Sequence, residues 1–247
     1  MKNIKIVIAY DGGSYLGWQK TAMGPSIENT VQLVLEKILQ HLVTLQAASR
    51  TDAGVHADHQ VVNFFTTKDL HLERFKLSMN ALLPKDIVVL DIEQMPFHFH
   101  PTVDCKNKTY HYCICSGPIQ MPQHRHYSWH YHYSLDLENM RRACSFLIGT
   151  HDFTSFCNVN PDQIYSHYMR TIDLLEIAEI HPQRLQIKVK GSNFLYKMVR
   201  NIVGTLAYVG TGKIDDSQLP KILNSKDRKA AGLTAPAHGL FLHQINY

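Results

Sequence analysis

The 247-residue sequence has few charged residues, few cysteines and no long apolar run. Charged residues make up 19% of the chain, and 25 Lys and Arg against 21 Asp and Glu leave a net charge of +4. Because no run of about 18 apolar residues occurs, the sequence predicts no transmembrane helix. The five cysteines lack CxxC spacing, which argues against a disulfide framework and favours reduced thiols. Lys5 and Asp11 interrupt the apolar N-terminus, so we expect no secretory signal peptide and a cytoplasmic protein.

Apolar residues, in contrast, are plentiful. They make up 45% of the chain, which is enough to build a packed core and excludes disorder as the main state. This length fits one large domain or two modest ones. The pI of about 8.7 permits nucleic-acid binding but falls short of a strongly basic signature.

Hydrophobic periodicity predicts an α+β protein, because strands and helices mix without strict βαβ alternation. The predicted strands lie at 4–8, 61–66, 87–92, 109–115, 172–180, 185–189 and 240–245. The predicted helices lie at 27–42, 72–82, 137–148, 194–209 and 217–225. Residues 116–134 are predicted to form a long loop. A similar order of elements restarts after residue 103, so we expect one half at 1–103 and a second at 104–247.

A short polar segment precedes the strand predicted at 61–66. Residues 50–57 have the sequence R-T-D-A-G-V-H-A, which brings Arg50 and Asp52 together beside Gly54. On its own this pattern also fits an ordinary surface turn with an Arg–Asp ion pair.

Segment 50–57 resembles the catalytic loop of the TruA family of tRNA pseudouridine synthases. Further blocks resemble that family in the same order and cover nearly the whole chain. They are residues 10–19 (YDGGSYLGWQ), 30–32 (TVQ), 80–87 (NALLPKDI), 99–100 (FH), 108–112 (KTYHY), 149–156 (GTHDFTSF), 194–204 (FLYKMVRNIVG) and 231–240 (AGLTAPAHGL).

The resemblance implies two similar α+β halves, ferredoxin-like or RRM-like, around a shared, mostly antiparallel sheet with a central active-site cleft. It also implies isomerisation of uridine to pseudouridine at positions 38, 39 and 40 of the tRNA anticodon stem-loop. No cofactor is implied, because the reaction includes no redox or group-transfer step. The family resemblance further implies a homodimer, which fits the modest charge since two chains double the basic surface offered to one RNA.

By resemblance, Asp52 is the essential carboxylate. It could attack C1′ of the ribose or remove the C2′ proton, and both roles stay open. Arg200, on the apolar helix predicted at 194–209, is implied to be the guanidinium that keeps Asp52 ionised. The alternative for Arg200 is a solvent-facing position on that helix.

Three further residues are implied to bind the substrate. Arg50 would take the space left by the flipped nucleotide, although a simple phosphate contact would also suit it. Tyr110 would stack on the uracil and could take part in removing the C5 proton, but a strand tyrosine is commonly a core residue. Leu240 would line the uracil pocket, and ordinary packing explains it nearly as well.

The sequence departs from the family pattern at two positions. Ser49 stands where the family usually has Gly, which matters only if that position needs a positive φ. Pro101 and Thr102 replace a stretch that usually carries an Arg, so a phosphate or structural contact could be lost. The chain is also a little short for the family, and its loops are terse.

Two competing functions remain at this stage. A catalytically weak module of the same fold could bind and refold tRNA, but the presence of Asp52, Tyr110 and Arg200 argues against it. A metal-dependent hydrolase could be built on the four histidines of the segment predicted as a loop, His124, His126, His130 and His132. We favour an exposed or RNA-facing aromatic and histidine patch there, because no Cys or carboxylate completes a ligand set. Cys113 and Cys115 are expected to be small buried residues and not a redox pair.

Overall fold

A computed structural model describes residues 1–160 and 164–247. Its strands are β1 (Lys2–Tyr10), β2 (Gln46–Ala47), β3 (His56–Thr66), β4 (Ile87–Met95), β5 (Asn107–Ser116), β6 (Trp129–Tyr131), β7 (Gly149–Asp152), β8 (Met169–His181), β9 (Arg184–Gly191) and β10 (Leu240–Asn246). Its α-helices are α1 (Ile27–Leu39), α2 (Leu72–Leu82), α3 (Leu137–Ser145), α4 (Met198–Gly210) and α5 (Leu219–Ser225).

The chain divides into two compact units. Unit 1 comprises Met1–Lys106 together with Phe241–Tyr247, and unit 2 comprises Asn107–Leu240. Each unit combines helices with a mostly antiparallel sheet, so the predicted α+β class is confirmed. No helix among residues 1–160 and 164–247 is long and apolar enough to cross a membrane.

Unit 1 is built on a sheet with the strand order β4-β1-β3-β10. β1 pairs antiparallel with β3 and with β4, β2 adds a short antiparallel pairing to β3, and β10 runs parallel to β3. Alternate residues of β1 point to one face, and Ile4, Ile6 and Ile8 are fully buried there. α1 buries an apolar stripe of its own, and the Ser26 side chain caps its first turn by accepting from the Asn29 N–H.

Unit 2 has an antiparallel sheet in the order β5-β9-β8-β7, and β6 runs parallel to β5. α4 is buried along almost its whole length, as its sequence of Val, Ile, Leu, Ala and Gly requires. β6 lies inside the segment predicted as a loop, so that prediction is wrong for Trp129–Tyr131. A strand of three residues is too short to show an alternating pattern.

Several predicted boundaries are also wrong. α4 begins at Met198 and not at 194, because Lys197 takes a left-handed conformation with φ of 59° immediately before it. α1 ends at Leu39, where Gln40 turns left-handed, and this leaves Leu42 86% exposed. β3 begins at His56 and not at 61, although polar residues occupy its first positions.

The last strand, β10, belongs to the predicted half 104–247 but pairs with a strand of the predicted half 1–103. In β10, Phe241 pairs with His56 and Leu242 pairs with Ala57 of β3. Contacts therefore group Phe241–Tyr247 with the N-terminal unit, although these residues are the most distant from it in sequence. A parallel pairing between two strands so far apart in the chain leaves no local signal in the sequence.

Candidate active site

Asp52 lies in a tight turn between β2 and β3 of unit 1. The Val55 N–H donates to the Asp52 carbonyl oxygen at 3.1 Å, which closes the turn. Gly54 occupies its third position with φ of 77°, a conformation that glycine adopts without strain. The Asp52 side chain is half-buried, so its carboxylate is reachable while the backbone beneath it is fixed.

The segment 10–18 supports this turn through close backbone approaches. A Cβ built on Gly12 would lie 2.0 Å from the Val55 carbonyl oxygen, and one on Gly17 would lie 2.6 Å from the Thr51 carbonyl oxygen. The Trp18 N–H donates to that Thr51 oxygen at 3.0 Å. Only glycine fits at these two points, which explains why the Y-D-G-G-S-Y-L-G-W segment accompanies the R-T-D motif.

Two buried side chains hold the residues on the N-terminal side of Asp52. The Tyr10 hydroxyl and the Thr51 Oγ1 are hydrogen-bonded at 2.8 Å, and Gln60 Nε2 donates to the Ser49 carbonyl oxygen at 2.6 Å. Ser49 is not among the residues with positive φ, so the usual family glycine is not required here. Tyr10 belongs to the matched block 10–19 and Gln60 to none of the blocks, and the sequence shows neither of these tertiary hydrogen bonds.

Arg50 points into solvent. Its side chain is exposed and makes no hydrogen bond or ion pair with any part of the chain that the structure describes. Thr102 is also exposed, and its hydroxyl donates to the Ala47 carbonyl oxygen at 2.7 Å, just before the segment 50–57. Thr102 therefore keeps a structural contact at the position where the family usually carries an Arg.

Unit 2 places Arg200 in the first turn of α4, where it is half-buried. Its Nε donates to the Ala235 carbonyl oxygen at 2.7 Å, and the Ala235 N–H donates back to the Arg200 carbonyl oxygen at 3.1 Å. This reciprocal pair ties the segment 231–236 to the helix. Because Nε is bonded to the Ala235 carbonyl oxygen, the guanidinium is held in one orientation.

A buried polar network supports the same contact. Asn201 Oδ1 accepts from Arg228 Nη2 at 2.8 Å and from Thr234 Oγ1 at 2.6 Å. Burial lowers the pKa of Arg228. A Cβ on Gly204 would lie 1.7 Å from the Leu233 carbonyl oxygen, so the segment and the helix touch backbone to backbone.

Tyr110 lies on β5 and is 7% exposed, with its ring edge-on to Phe194 at 5.2 Å between centroids. Two residues further along the strand, the Tyr112 hydroxyl donates to the Pro236 carbonyl oxygen at 2.8 Å. Burial raises the pKa of Tyr112 well above its usual value, and the nearby Arg200 charge opposes that rise. Leu240 is buried at the start of β10, directly after Gly239, whose lack of a side chain admits the Tyr112 ring.

The structure thus places Arg50 and Asp52 on one loop of unit 1. It places Tyr110, Arg200 and Leu240 in unit 2, where Tyr112 and the segment 231–236 link the surroundings of Arg200 and Leu240. Sequence reasoning missed Tyr112, Asn201 and Arg228 as supporting residues. Tyr112 and Asn201 lie inside the blocks 108–112 and 194–204 that resemble the family, which is the one signal that could have found them.

Residues 116–134, called the histidine-rich segment below, contain a cluster of aromatic rings. Trp129 and Tyr131 have ring centroids 4.5 Å apart, and Lys213 Nζ lies 5.3 Å from the centre of the Tyr133 ring. His130 Nε2 is hydrogen-bonded to the Gly117 carbonyl oxygen at 3.0 Å. Within residues 1–160 and 164–247, no group of three or more His, Cys, Asp or Glu residues is arranged to hold a metal ion.

The two strand cysteines differ in burial. Cys115 is buried, with Sγ 3.1 Å from the Ser128 hydroxyl, whereas Cys113 is half-buried and not buried as expected. Both are free thiols.

Sequence comparison shows which known proteins the chain is similar to. The sequence matches the tRNA pseudouridine synthase family over residues 6–102 and 143–247. It is 54% identical to tRNA pseudouridine synthase A 2 of Protochlamydia amoebophila (strain UWE25), over 100% of this chain and 95% of that protein. It is 42% identical to tRNA pseudouridine synthase A of Thermoanaerobacter sp. (strain X514), over 100% of both chains.

Among solved structures, the chain is similar to the crystal structure of a Cbf5-Nop10-Gar1 complex. The TM-score is 0.37 at 13% sequence identity, covering 83% of this chain and 44% of that chain.

Relatives matched from end to end define the class as RNA-modifying isomerases. This chain belongs to the tRNA pseudouridine synthase family, and it isomerises uridine to pseudouridine in tRNA. The family and the enzyme class predicted from the motifs are therefore confirmed.

Proposed function

We propose that this enzyme modifies uridines 38, 39 and 40 of the tRNA anticodon stem-loop, with Asp52 as its essential carboxylate. One observation carries the proposal. Asp52 stands half-exposed on a turn whose backbone is fixed from below by Gly12 and Gly17, within the part of the chain that matches the family. A preorganised carboxylate is what cleavage of a glycosidic bond requires.

The reaction breaks the N1–C1′ bond of uridine, rotates the uracil and joins C5 to C1′. Positive charge develops on the ribose as the first bond breaks, and the Asp52 carboxylate stabilises it or attacks C1′ directly. The alternative first step is removal of the C2′ proton by the same carboxylate. The reaction ends when C5 loses its proton and N1 gains one, so the product is an isomer of the substrate and no cofactor is needed.

The remaining residues receive the roles that the resemblance implies. By resemblance, Arg200 is the positively charged residue of the active site, and its fixed Nε supports this role because the guanidinium cannot rotate freely. Tyr110 stacks on the uracil and assists removal of the C5 proton, while Leu240 lines the uracil pocket. The free, exposed side chain of Arg50 suits a group that replaces a flipped nucleotide.

We also propose that the enzyme acts as a homodimer in the cytoplasm. The net charge of +4 is small for a protein that binds a polyanion, and a second copy doubles it. Light scattering should then give twice the 28.3 kDa chain mass. A monomer at the concentrations that support full activity would contradict the proposal.

The test uses tRNA transcripts with tritium at uracil C5, with EDTA present. Wild-type protein should release tritium, Asp52→Asn should release none while still binding tRNA, and transcripts with cytidine at 38, 39 and 40 should be inert. Asp58→Asn is the matched control, because Asp58 is an exposed carboxylate on the adjoining strand that pairs with His243. An active Asp52→Asn variant, or release from the cytidine transcripts, would contradict the proposal.

The same assay separates the open alternatives. Deuterium at C2′ should slow the reaction by a primary isotope effect only if the carboxylate removes that proton. Tight binding of tRNA by wild-type protein without any release would instead indicate the binding module. Activity that disappears with EDTA would direct attention to the histidine-rich segment.

A further inference from the structure

His56 is the seventh residue of the R-T-D-A-G-V-H-A segment, and the proposed chemistry gives it no role. It is 2% exposed at the first position of β3. Its ring stacks on Phe241 of β10 with centroids 4.7 Å apart and an interplanar angle of 21°. Titratable side chains this deeply buried are common at functional sites, and His56 is four residues from the proposed catalytic carboxylate.

The imidazole joins the end of the catalytic turn to the segment beneath it. His56 Nδ1 donates to Asp11 Oδ1 at 3.0 Å, because a carboxylate oxygen accepts a hydrogen bond and does not donate one. The Gly12 amide nitrogen lies 3.2 Å from the same Nδ1. Asp11 Oδ1 also accepts from the Gly13 N–H at 2.9 Å, so the carboxylate is itself held in place. The imidazole is therefore hydrogen-bonded to Asp11 and packed against the backbone of Gly12.

This attachment continues directly to Asp52. Val55 precedes His56 in the chain, and its N–H closes the turn by donating to the Asp52 carbonyl oxygen at 3.1 Å. Its carbonyl oxygen is the atom that Gly12 approaches. A ring that lost its hold on Asp11 and Gly12 would shift Val55, and Asp52 would shift with it.

We propose that His56 is a positioning residue for Asp52, acting through the hydrogen bond from its Nδ1 to Asp11. The proposal rests on the proposed function, in which Asp52 is the essential carboxylate. His56 does not touch the substrate in this mechanism. Its effect is on the rate of the chemical step, because a displacement of about 1 Å in a catalytic group can cost about 100-fold in rate.

Two substitutions separate the hydrogen bond from the packing. His56→Phe keeps a flat ring on Phe241 but removes Nδ1, and His56→Asn restores a polar atom near the place of Nδ1. His59→Phe is the matched control, since it makes the same change three residues along the same strand. His59 is half-buried, and its Nδ1 has no hydrogen-bond partner among the residues that the structure describes.

His56→Phe should lower kcat by about 10-fold to 100-fold while the KM for tRNA changes less than about 2-fold. His56→Asn should recover kcat to within about 3-fold of wild type, and His59→Phe should match wild type. A kcat for His56→Phe equal to that of His59→Phe would overturn the proposal. Equal losses in folded His56→Phe and His56→Asn would also overturn it.

Asp11→Ala tests the same contact even if His56→Phe fails to fold, because the Asp11 carboxylate is partly exposed and its loss should be tolerated. It should lower kcat in the same manner, without a matching change in KM, and an unchanged kcat would overturn the proposal.

Amide hydrogen exchange tests the geometry without any activity. The Val55 amide should exchange faster in His56→Phe than in His59→Phe, and equal rates would overturn the positioning role. If wild-type protein proved inactive on tRNA, the proposed function would fail, and the exchange measurement would still decide the role of His56.

Discussion

The two units hold their candidate catalytic side chains in opposite ways. In unit 1, Asp52 lies on an irregular turn with no secondary structure of its own, and the neighbouring segment 10–18 defines its position. In unit 2, Arg200 lies on the regular helix α4, and the irregular segment 231–236 is fixed by the helix. The candidate catalytic residue is thus on the supported element in unit 1 and on the supporting element in unit 2.

Both units use glycine to bring two backbones into contact. Gly12 belongs to the support and meets Val55 of the turn that carries Asp52, whereas Gly204 belongs to α4, which carries Arg200, and meets Leu233. The location of the glycine determines what its loss would disturb. A change at Gly12 displaces a short turn that carries Asp52, while a change at Gly204 forces apart a buried helix and its covering segment. We therefore expect substitutions at the glycine contact of unit 1 to lower kcat, and those at the glycine contact of unit 2 to lower the free energy of unfolding.

Gly204→Ala should have the largest effect. Alanine normally stabilises a helix relative to glycine by about 1 kcal/mol, but here the Cβ would lie 1.7 Å from a backbone oxygen that cannot move aside. We expect the free energy of unfolding to fall by about 4 kcal/mol or more, measured by urea denaturation. Gly210→Ala is the control on the same helix, since its Cβ would meet the flexible side chains of Met140 and Leu135. Equal losses of unfolding free energy in both variants would contradict the prediction that the backbone contact of Gly204 causes the effect.

Gly12→Ala should come next, and its effect should fall on catalysis. Its Cβ would lie 2.0 Å from the Val55 carbonyl oxygen, so the turn carrying Asp52 must shift. We expect kcat to fall about 100-fold in the tritium-release assay, with folding retained. Gly13→Ala is the control, because its nearest neighbour is the side-chain oxygen of Asp11 at 3.1 Å. If Gly12→Ala lost its fold without a selective fall in kcat, the expected difference between the two units would be wrong.

Asn201→Ala should have an intermediate effect on stability alone. Asn201 is fully buried, and its amide oxygen accepts from both Arg228 and Thr234. Its loss leaves two donors without that acceptor in a buried site, which costs about 2 kcal/mol. Urea denaturation should show this loss while kcat at a temperature below the transition stays within about 3-fold. A large loss of kcat in a stable variant would mean that the network positions Arg200.

Much of the fold could be predicted from the sequence because its elements have strong periodicity. The predicted helix at 72–82 is α2, and the strand predicted at 4–8 is the centre of β1. The failures have local physical causes. The left-handed Lys197 shortens α4 at its start, and propensity gives no warning of it because Lys is a good helix former.

The candidate catalytic residues could be proposed from motifs, but the hydrogen bonds that support them could not. Tyr10, Gln60 and Asn201 act through bonds to residues 41, 11 and 33 positions away, respectively. Such contacts are set by tertiary packing, and the residue types involved are common in any core. The close approaches of Gly12 and Gly204 show the same limit, since a single sequence does not reveal which glycines are sterically required.

Ser49→Gly should have the smallest effect and gives the sharpest test of how unit 1 sets its turn. The φ of Ser49 is not positive, and its carbonyl oxygen is already fixed by Gln60 Nε2 at 2.6 Å. Restoring the usual family glycine should therefore leave kcat unchanged and lower the free energy of unfolding by about 0.5–1 kcal/mol through chain entropy. Ser49→Ala separates the loss of the hydroxyl from that entropy. A several-fold rise in kcat for the glycine variant alone would show that Ser49 strains the loop, and segment 10–18 would then not be the main determinant of Asp52.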